Sequence, residues 1–322
     1  MGSRAVFLVP PGHPWAERAK RLPADLGVQI VDMTLPDDQK AALCKDAEVL
    51  VLGVSEISPD FVRRLPRLKY IQLLSAGFDR MDVHTISEMG IRICNNSASI
   101  APSVADHTIM LMLACLRHLI PSWKSVQHRR WAQELQGLDN RELTGKTIGI
   151  VGFGAIGREV ARRLRGWDVT VLYHDIVPAP PEVERDLRVR RVPLEDLLRQ
   201  SDIVTVHVPL NRRTRGMINA SFLSLMKPTA ILINTSRGEV ADEHALLQAL
   251  RQRRIAGAGL DVLAQEPTPP DNPLLDLDNV VITPHRAGPS VEVWERTLAF
   301  LTQNLRRMLN GQEPLSVIRI QD

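Results

Sequence analysis

From Thr147 to Gly157 the chain reads Thr-Ile-Gly-Ile-Val-Gly-Phe-Gly-Ala-Ile-Gly, a β-branched run that breaks into glycines and then opens a helix. Few folds use that order. Gly152 permits a tight turn at the strand end, Gly154 leaves no side chain between the backbone and a pyrophosphate, and Gly157 lets the next helix pack against the strand. Ala155 and Ile156, between the last two glycines, belong to the same cofactor-binding turn, and the helix N-terminus faces phosphate charge. Three glycines at this spacing also arise by chance, so the flanking pattern has to agree. It does: a strand over 148–151, a helix over 158–164 with Val160 and Leu164 on one face, and a second strand over 169–173 ending near Asp175. A carboxylate there accepts both ribose hydroxyls of an adenosine and repels a 2′-phosphate, which favours NAD over NADP as the cofactor.

At 322 residues the chain is long for one core, and ordinary domain size predicts two. Aliphatic and β-branched runs at 5–9, 28–31, 49–52, 70–74 and 91–94 alternate with amphipathic stretches, the rhythm of a parallel sheet flanked by helices. A second series has six strands, near 148–151, 169–173, 203–208, 230–234, 256–263 and 280–283. Between the two series, 102–119 reads as a helix capped by Ser99 with Pro102 in its first turn. Val104, Thr108, Leu111, Cys115 and Leu119 fall near one stripe, broadened by Met110, Met112 and Leu113, which predicts a helix buried between layers. The stretch with Trp123 and Trp131 reads as a connection. Residues 291–309 form a further helix, with Val293, Thr297, Phe300, Leu301, Leu305 and Met308 on its apolar side, returning to the first domain.

A formal charge of +3 and 44% hydrophobic residues describe an ordinary soluble chain. The arginine runs 188–191 and 251–254 are dispersed and lack interleaved aromatics, so they read as solvated helix faces and not as a nucleic-acid surface. Cys44, Cys94 and Cys115 have neither metal-ligand spacing nor an even disulfide framework, which predicts no metal and a reducing, cytoplasmic location. No leader is expected at the start of the chain. The most apolar stretch, 109–119, is short for a bilayer and flanked by Arg117 and His118, so no membrane span is expected.

Three chemically capable side chains follow successive strands of the second series: Arg237, Glu266 and His285. In an open α/β sheet the ligand crevice lies outside those strand ends. Here the chain resembles the D-isomer-specific 2-hydroxyacid dehydrogenase family along essentially its whole length. The likeness rests on Ser75-Ala76-Gly77-Phe78-Asp79, the 102–119 helix, the glycine turn, His207-Val208-Pro209-Leu210, Asn234-Thr235-Ser236-Arg237-Gly238, Asp261-Val262-Leu263 leading to Glu266-Pro267, and Pro284-His285-Arg286-Ala287-Gly288. The resemblance implies a Rossmann NAD-binding domain over 99–286 and a flavodoxin-like substrate domain over 1–98 and 287–322. Both are doubly wound parallel sheets, and the active site is expected in the cleft. It also implies that Arg237 binds the substrate carboxylate and polarises C2, that His285 exchanges the proton, and that Glu266 pairs with His285.

Elementary chemistry agrees with those roles. A guanidinium fork can address a carboxylate and the adjacent carbonyl of a 2-keto acid together. Hydride arriving at C2 leaves an alkoxide that needs a proton from a group titrating near neutrality. A neighbouring carboxylate favours the imidazolium and fixes which ring nitrogen meets the substrate. By resemblance the His207, Val208, Pro209 and Thr214 loop lines the cofactor, as do Thr235, Ser236 and Gly288, while Asp261 receives the nicotinamide carboxamide. Ser75, Ala76 and Gly77 form a loop that can offer N–H groups to an anion. His107 is expected to be structural.

Departures from the family pattern narrow the reading. Arg286 stands where relatives carry an apolar residue and is taken to point to solvent. Arg212 and Arg213 alter a loop, and Asp106 replaces a usual glutamate. Gly53-Val54-Ser55 lacks the arginine of phosphoglycerate-oxidising relatives, a regulatory domain like theirs is not expected after Asp322, and Glu266 argues against formate chemistry. The function expected is an NAD-dependent 2-keto acid reductase, glyoxylate- or hydroxypyruvate-reductase-like, working as a homodimer with Trp123, Trp131 and the long helix as contacts. Two alternatives stay open: an NAD(H)-sensing protein like the C-terminal-binding co-repressors, and a phosphite- or phosphoglycerate-oxidising enzyme.

Overall fold

A parallel strand covered on both faces loses its polar alternation, and the first strands follow that rule. β1 (Ala5–Val9), β2 (Val28–Asp32), β3 (Val49–Leu52), β4 (Tyr70–Leu73) and β5 (Arg92–Cys94) form one parallel sheet in the order β2-β1-β3-β4-β5, with β1 and β3 buried at every position. That is the flavodoxin-like order. Helices α1 (Pro14–Ala19), α2 (Asp37–Cys44), α3 (Pro59–Arg63) and α4 (Val83–Glu88) fill the crossovers. The computed structural model describes residues 3–131 and 140–318. Its chain divides into Met1–Ile100 with Pro289–Asp322, and Ala101–Gly288.

The long apolar segment becomes α5 (Ser97–Leu116), followed by α6 (Leu119–Gln127). This corrects the expected helix at both ends. The Asn95 side chain accepts the Ser97 N–H at 3.3 Å, so the helix starts before Ser99 and Pro102 lies inside it. His118 takes a left-handed conformation, φ 48°, which ends one helix and begins the next, and Trp123 sits on α6 instead of in a connection. Val104, Thr108 and Leu111 are buried, but Met110 and Leu119 are exposed, so the stripe is narrower than its composition suggests. At twenty residues α5 is long and apolar enough to cross a membrane by length and composition, which the 109–119 window had missed. Over half of it is buried within the protein.

The second unit contains β6 (Thr147–Val151), α7 (Ala155–Leu164), β7 (Thr170–His174), α8 (Pro181–Leu187), β8 (Val189–Arg191), α9 (Leu194–Gln200), β9 (Ile203–Val206), α10 (Ala220–Leu225), β10 (Ile231–Asn234), α11 (Glu243–Arg251), β11 (Gly257–Leu260) and β12 (Val280–Ile282). Their parallel order is β12-β11-β10-β9-β6-β7-β8. The sheet has seven strands where six were expected. β8 is the addition: two of its three residues are exposed arginines, as an edge strand tolerates, and they disguised it as a helix face. Ile148, Ile150, Ile231 and Ile233 face one core with Leu111 and Met112 of α5, and Val204, Val206, Leu232 and Leu260 face the other with Leu246 and Leu250 of α11. Period-two alternation along each strand feeds both layers.

The chain then closes with α12 (Val291–Leu309), capped by Ser290, whose side chain accepts the Val293 N–H. Leu301, Leu305 and Met308 pack with Ala5, Phe7, Val9 and Trp15, returning the C-terminal helix to the first sheet.

Candidate active site

The glycine turn between β6 and α7 is shaped by close backbone approaches. Gly152 has φ +92°, and a β-carbon there would lie 2.7 Å from the His207 carbonyl. A β-carbon on Gly157 would lie 2.2 Å from the Gly152 carbonyl oxygen, so α7 can start tight against the turn only with glycine. Gly154 differs: nothing lies within 4 Å of its β-carbon position, and the N-terminus of α7, with Ala155 and Ile156 in its first turn, opens onto that space. One strand over, after β7, Asp175 accepts the Phe153 N–H at 2.6 Å and the Val177 N–H at 2.9 Å. Open space at a helix N-terminus, beside an acid that follows the next strand, fits a dinucleotide's pyrophosphate and ribose.

The other polar residues follow the remaining strands along the same edge. After β10, the Asn234 side chain accepts from Ser236 N at 3.0 Å and Ser236 Oγ at 2.7 Å and donates to Arg237 O at 2.9 Å, which folds the turn that presents Arg237. The Arg237 guanidinium donates to Ser236 O at 2.8 Å. A side chain at Gly238 would collide with the Leu263 backbone, 1.9 Å away, so the loops after β10 and β11 touch main chain to main chain.

The β11 loop carries Glu266, whose Oε1 accepts the Leu263 N–H at 3.1 Å and whose Oε2 accepts His285 Nδ1–H at 2.6 Å. The two side chains are 37% and 47% exposed, so the pair adds little stability. Its effect is orientation: a proton held on Nδ1 leaves Nε2 as the nitrogen available to a reacting oxygen. His285 follows β12 and has φ 52°, with its N–H bonded to Asp261 O at 2.8 Å. Neighbouring strands lie about 4.8 Å apart, so loops on β10, β11 and β12 begin within roughly 10 Å of one another.

Asp261 is 1% exposed, and its carboxylate accepts from Thr283 Oγ1 at 2.6 Å and from the Arg286 and Ala287 N–H groups at 2.8 Å each. His107 Nε2 stands 3.3 Å from it. Burial opposes its ionisation, yet these donors together hold its pKa below the usual carboxylate value. Both oxygens are thus engaged within the protein. His207 bonds to Thr205 Oγ1 at 2.9 Å, and burial pushes its pKa down to about 3, so it is neutral. Val208 and Pro209 follow it in the loop, and Thr214 ties the loop's end by donating to Pro209 O at 2.5 Å. Thr235 is buried and shares a hydrogen bond with Thr108 at 3.1 Å, while Gly288 has open space at its β-carbon position.

In the first unit, the loop after β4 has its carbonyls bound to protein donors. Ser75 O accepts from Asn96 N at 2.9 Å, Ala76 O from Asn95 Nδ2 at 3.0 Å and Gly77 O from Ser75 Oγ at 2.6 Å. Ser55 Oγ lies 2.6 Å from Ser75 Oγ and braces the loop. Sequence reasoning overlooked Asn234, Thr283 and Ser55 as organisers. Asn234 alone had a local signal, its place in the Asn-Thr-Ser-Arg-Gly turn.

Residues 109–287 match a family model described as D-isomer specific 2-hydroxyacid dehydrogenase, NAD binding domain. The chain is 39% identical to a glyoxylate reductase of Korarchaeum cryptofilum over 85% of its own length and 83% of that protein's. It is 36% identical to a hydroxypyruvate reductase of Thermotoga maritima, over 88% and 91% of the two chains. The crystal structure of a glyoxylate reductase from Paecilomyes thermophila superposes with a TM-score of 0.84 at 29% identity, over 99% of each chain.

Proposed function

Since the chain belongs to the D-isomer-specific 2-hydroxyacid dehydrogenase family and is an NAD-dependent oxidoreductase, we propose that it reduces a small 2-keto acid of the glyoxylate or hydroxypyruvate type. Arg237, Glu266 and His285 are its catalytic trio. The observation that carries this reading is the 2.6 Å bond from His285 Nδ1 to Glu266, at the ends of the two strands that follow the Arg237 strand in sheet order. Bound NADH supplies the hydride. Arg237 holds the substrate carboxylate and draws electron density from the C2 oxygen, and His285 Nε2 gives that oxygen its proton. Glu266 keeps Nδ1–H engaged throughout, so the ring returns to one orientation after each transfer.

Gly152, Gly154 and Gly157 with the α7 N-terminus hold the pyrophosphate, and Asp175 selects NAD over NADP by its charge. The loop Ser75–Gly77, with its carbonyls turned to protein donors, keeps its N–H groups available to an anion. Trp123 on α6 and Trp131 beyond its end are 57% and 77% exposed, which supports a homodimer contact there, and three free cysteines suit the reducing cytoplasm.

The test is NADH consumption with a panel of 2-keto acids, alongside His285→Gln. Wild type should turn over at least glyoxylate or hydroxypyruvate, and the variant should lose about 10²- to 10⁴-fold in kcat while still binding NADH. A wild-type protein that binds NADH but reduces none of the panel, or an active His285→Gln, overturns the reading.

A further inference from the structure

We propose that His107 of α5 is a positioning residue for His285, holding the loop that presents the proton donor. The proposal rests on His285 having that role. Ser103 and His107 lie one turn apart, and so on one face of α5. Ser103 Oγ donates to Ala287 O at 2.9 Å, and His107 Nε2 lies 2.8 Å from Thr283 Oγ1. Thr283 has a single hydroxyl proton, and the 2.6 Å contact to Asp261 Oδ1 requires it there, because an ionised carboxylate only accepts. Thr283 Oγ1 must therefore accept from His107, which places the His107 proton on Nε2. Its ring is 15% exposed, so water offers the hydroxyl little alternative donor.

The same carboxylate takes the N–H groups of Arg286 and Ala287. Residues on both sides of His285 are thereby tied to Asp261, and Asp261 is tied to α5 both through Thr283 and by the 3.3 Å approach of His107 Nε2 to Asp261 Oδ1. The tie matters because His285 has φ 52°, a left-handed conformation costing a residue with a β-carbon roughly 1–2 kcal/mol. Its surroundings must hold it there. Once the loop is released, the backbone relaxes and carries Nδ1 away from Glu266.

The test uses His107→Phe, which keeps a ring but loses the donor, and His107→Gln, whose amide nitrogen takes the place of Nε2. Thr283→Val and the His107→Phe/Thr283→Val double variant complete the set, with His285→Gln run beside them. Steady-state kinetics with glyoxylate and NADH are read together with NADH affinity by fluorescence titration. His107→Phe should lower kcat about 10- to 100-fold, as displacements near 1 Å do, with NADH affinity within about twofold of wild type. His107→Gln should recover to within about threefold of wild type, and the double variant should be no worse than the poorer single one, because both act through the same Asp261 oxygen.

Wild-type kcat in His107→Phe overturns the proposal, as does a double variant whose loss is the product of the single losses. Loss of NADH affinity in step with kcat also overturns it, since that marks a merely structural histidine. Should His107→Phe fail to fold, the other two variants decide: wild-type kcat in Thr283→Val, or a glutamine that loses as much as valine, refutes it. An active His285→Gln would instead remove the reading of His285 itself.

Discussion

Alanine at Gly154 and at Gly157 should separate cofactor binding from folding, although the two positions belong to one turn. At Gly157 the added carbon lies 2.2 Å from the Gly152 carbonyl oxygen and 3.1 Å from Ile150 Cγ2. Relief requires α7 to move about 1 Å from the turn, because a backbone oxygen has no rotamer to escape into. Overpacking of this kind costs about 1–3 kcal/mol, or roughly 3–10 °C in Tm for a unit of this size. Displacing the α7 N-terminus also weakens NADH binding. At Gly154 φ is −73° and nothing lies within 4 Å, so the free protein accommodates a methyl group without strain. The loss of a preferred cap residue and the gain from a stiffer unfolded chain are each about 0.5–1 kcal/mol and oppose one another, leaving Tm within roughly 2 °C. In the proposed complex the methyl group occupies the phosphate's place. Losing one charge-assisted hydrogen bond, about 1.5–3 kcal/mol, raises the NADH Kd about 10- to 100-fold. Calorimetry of the free proteins and fluorescence titration with NADH measure both quantities. A Gly154→Ala protein that binds NADH like wild type, or that melts as low as Gly157→Ala, would refute the reasoning.

Arg237→Lys keeps the charge but loses the planar fork, and kcat/KM for the 2-keto acid should fall at least about tenfold while NADH affinity stays level; a value within twofold of wild type would remove the bidentate role. His207 has a folded pKa of about 3 against an ordinary value of 6.5, so the native state binds fewer protons than the unfolded chain between those values. Stability from this residue is complete above pH 6.5 and falls by about 1.4 kcal/mol per pH unit below it. Urea unfolding at pH 7, 6 and 5 should show that slope shrinking in His207→Gln, and an unchanged slope would assign the acid sensitivity elsewhere.

Much of this architecture was legible because local rules are short-ranged. The glycine turn declares itself within eleven residues, and α12 spans the residues its apolar spacing indicated. Where two local rules compete, the sequence misleads. Pro102 favours a first turn, but the Asn95 side chain starts α5 at Ser97 and leaves the proline inside. The arginines of β8 hide a strand whose only buried residue is Val189. His107 reads as structural from its helix alone, since its partner Thr283 lies 176 positions away.

The sequence by itself determined the alternating layers, the glycine turn between strand and helix and the kinds of side chain that stand at strand ends, since each follows from sterics and periodicity over a few residues. Only the tertiary structure decided that β10, β11 and β12 are neighbours, that Glu266 meets His285 and that Asp261 spends its carboxylate on the His285 loop. Those outcomes depend on where each crossover returns to the sheet, and that is settled by burial shared across the whole unit.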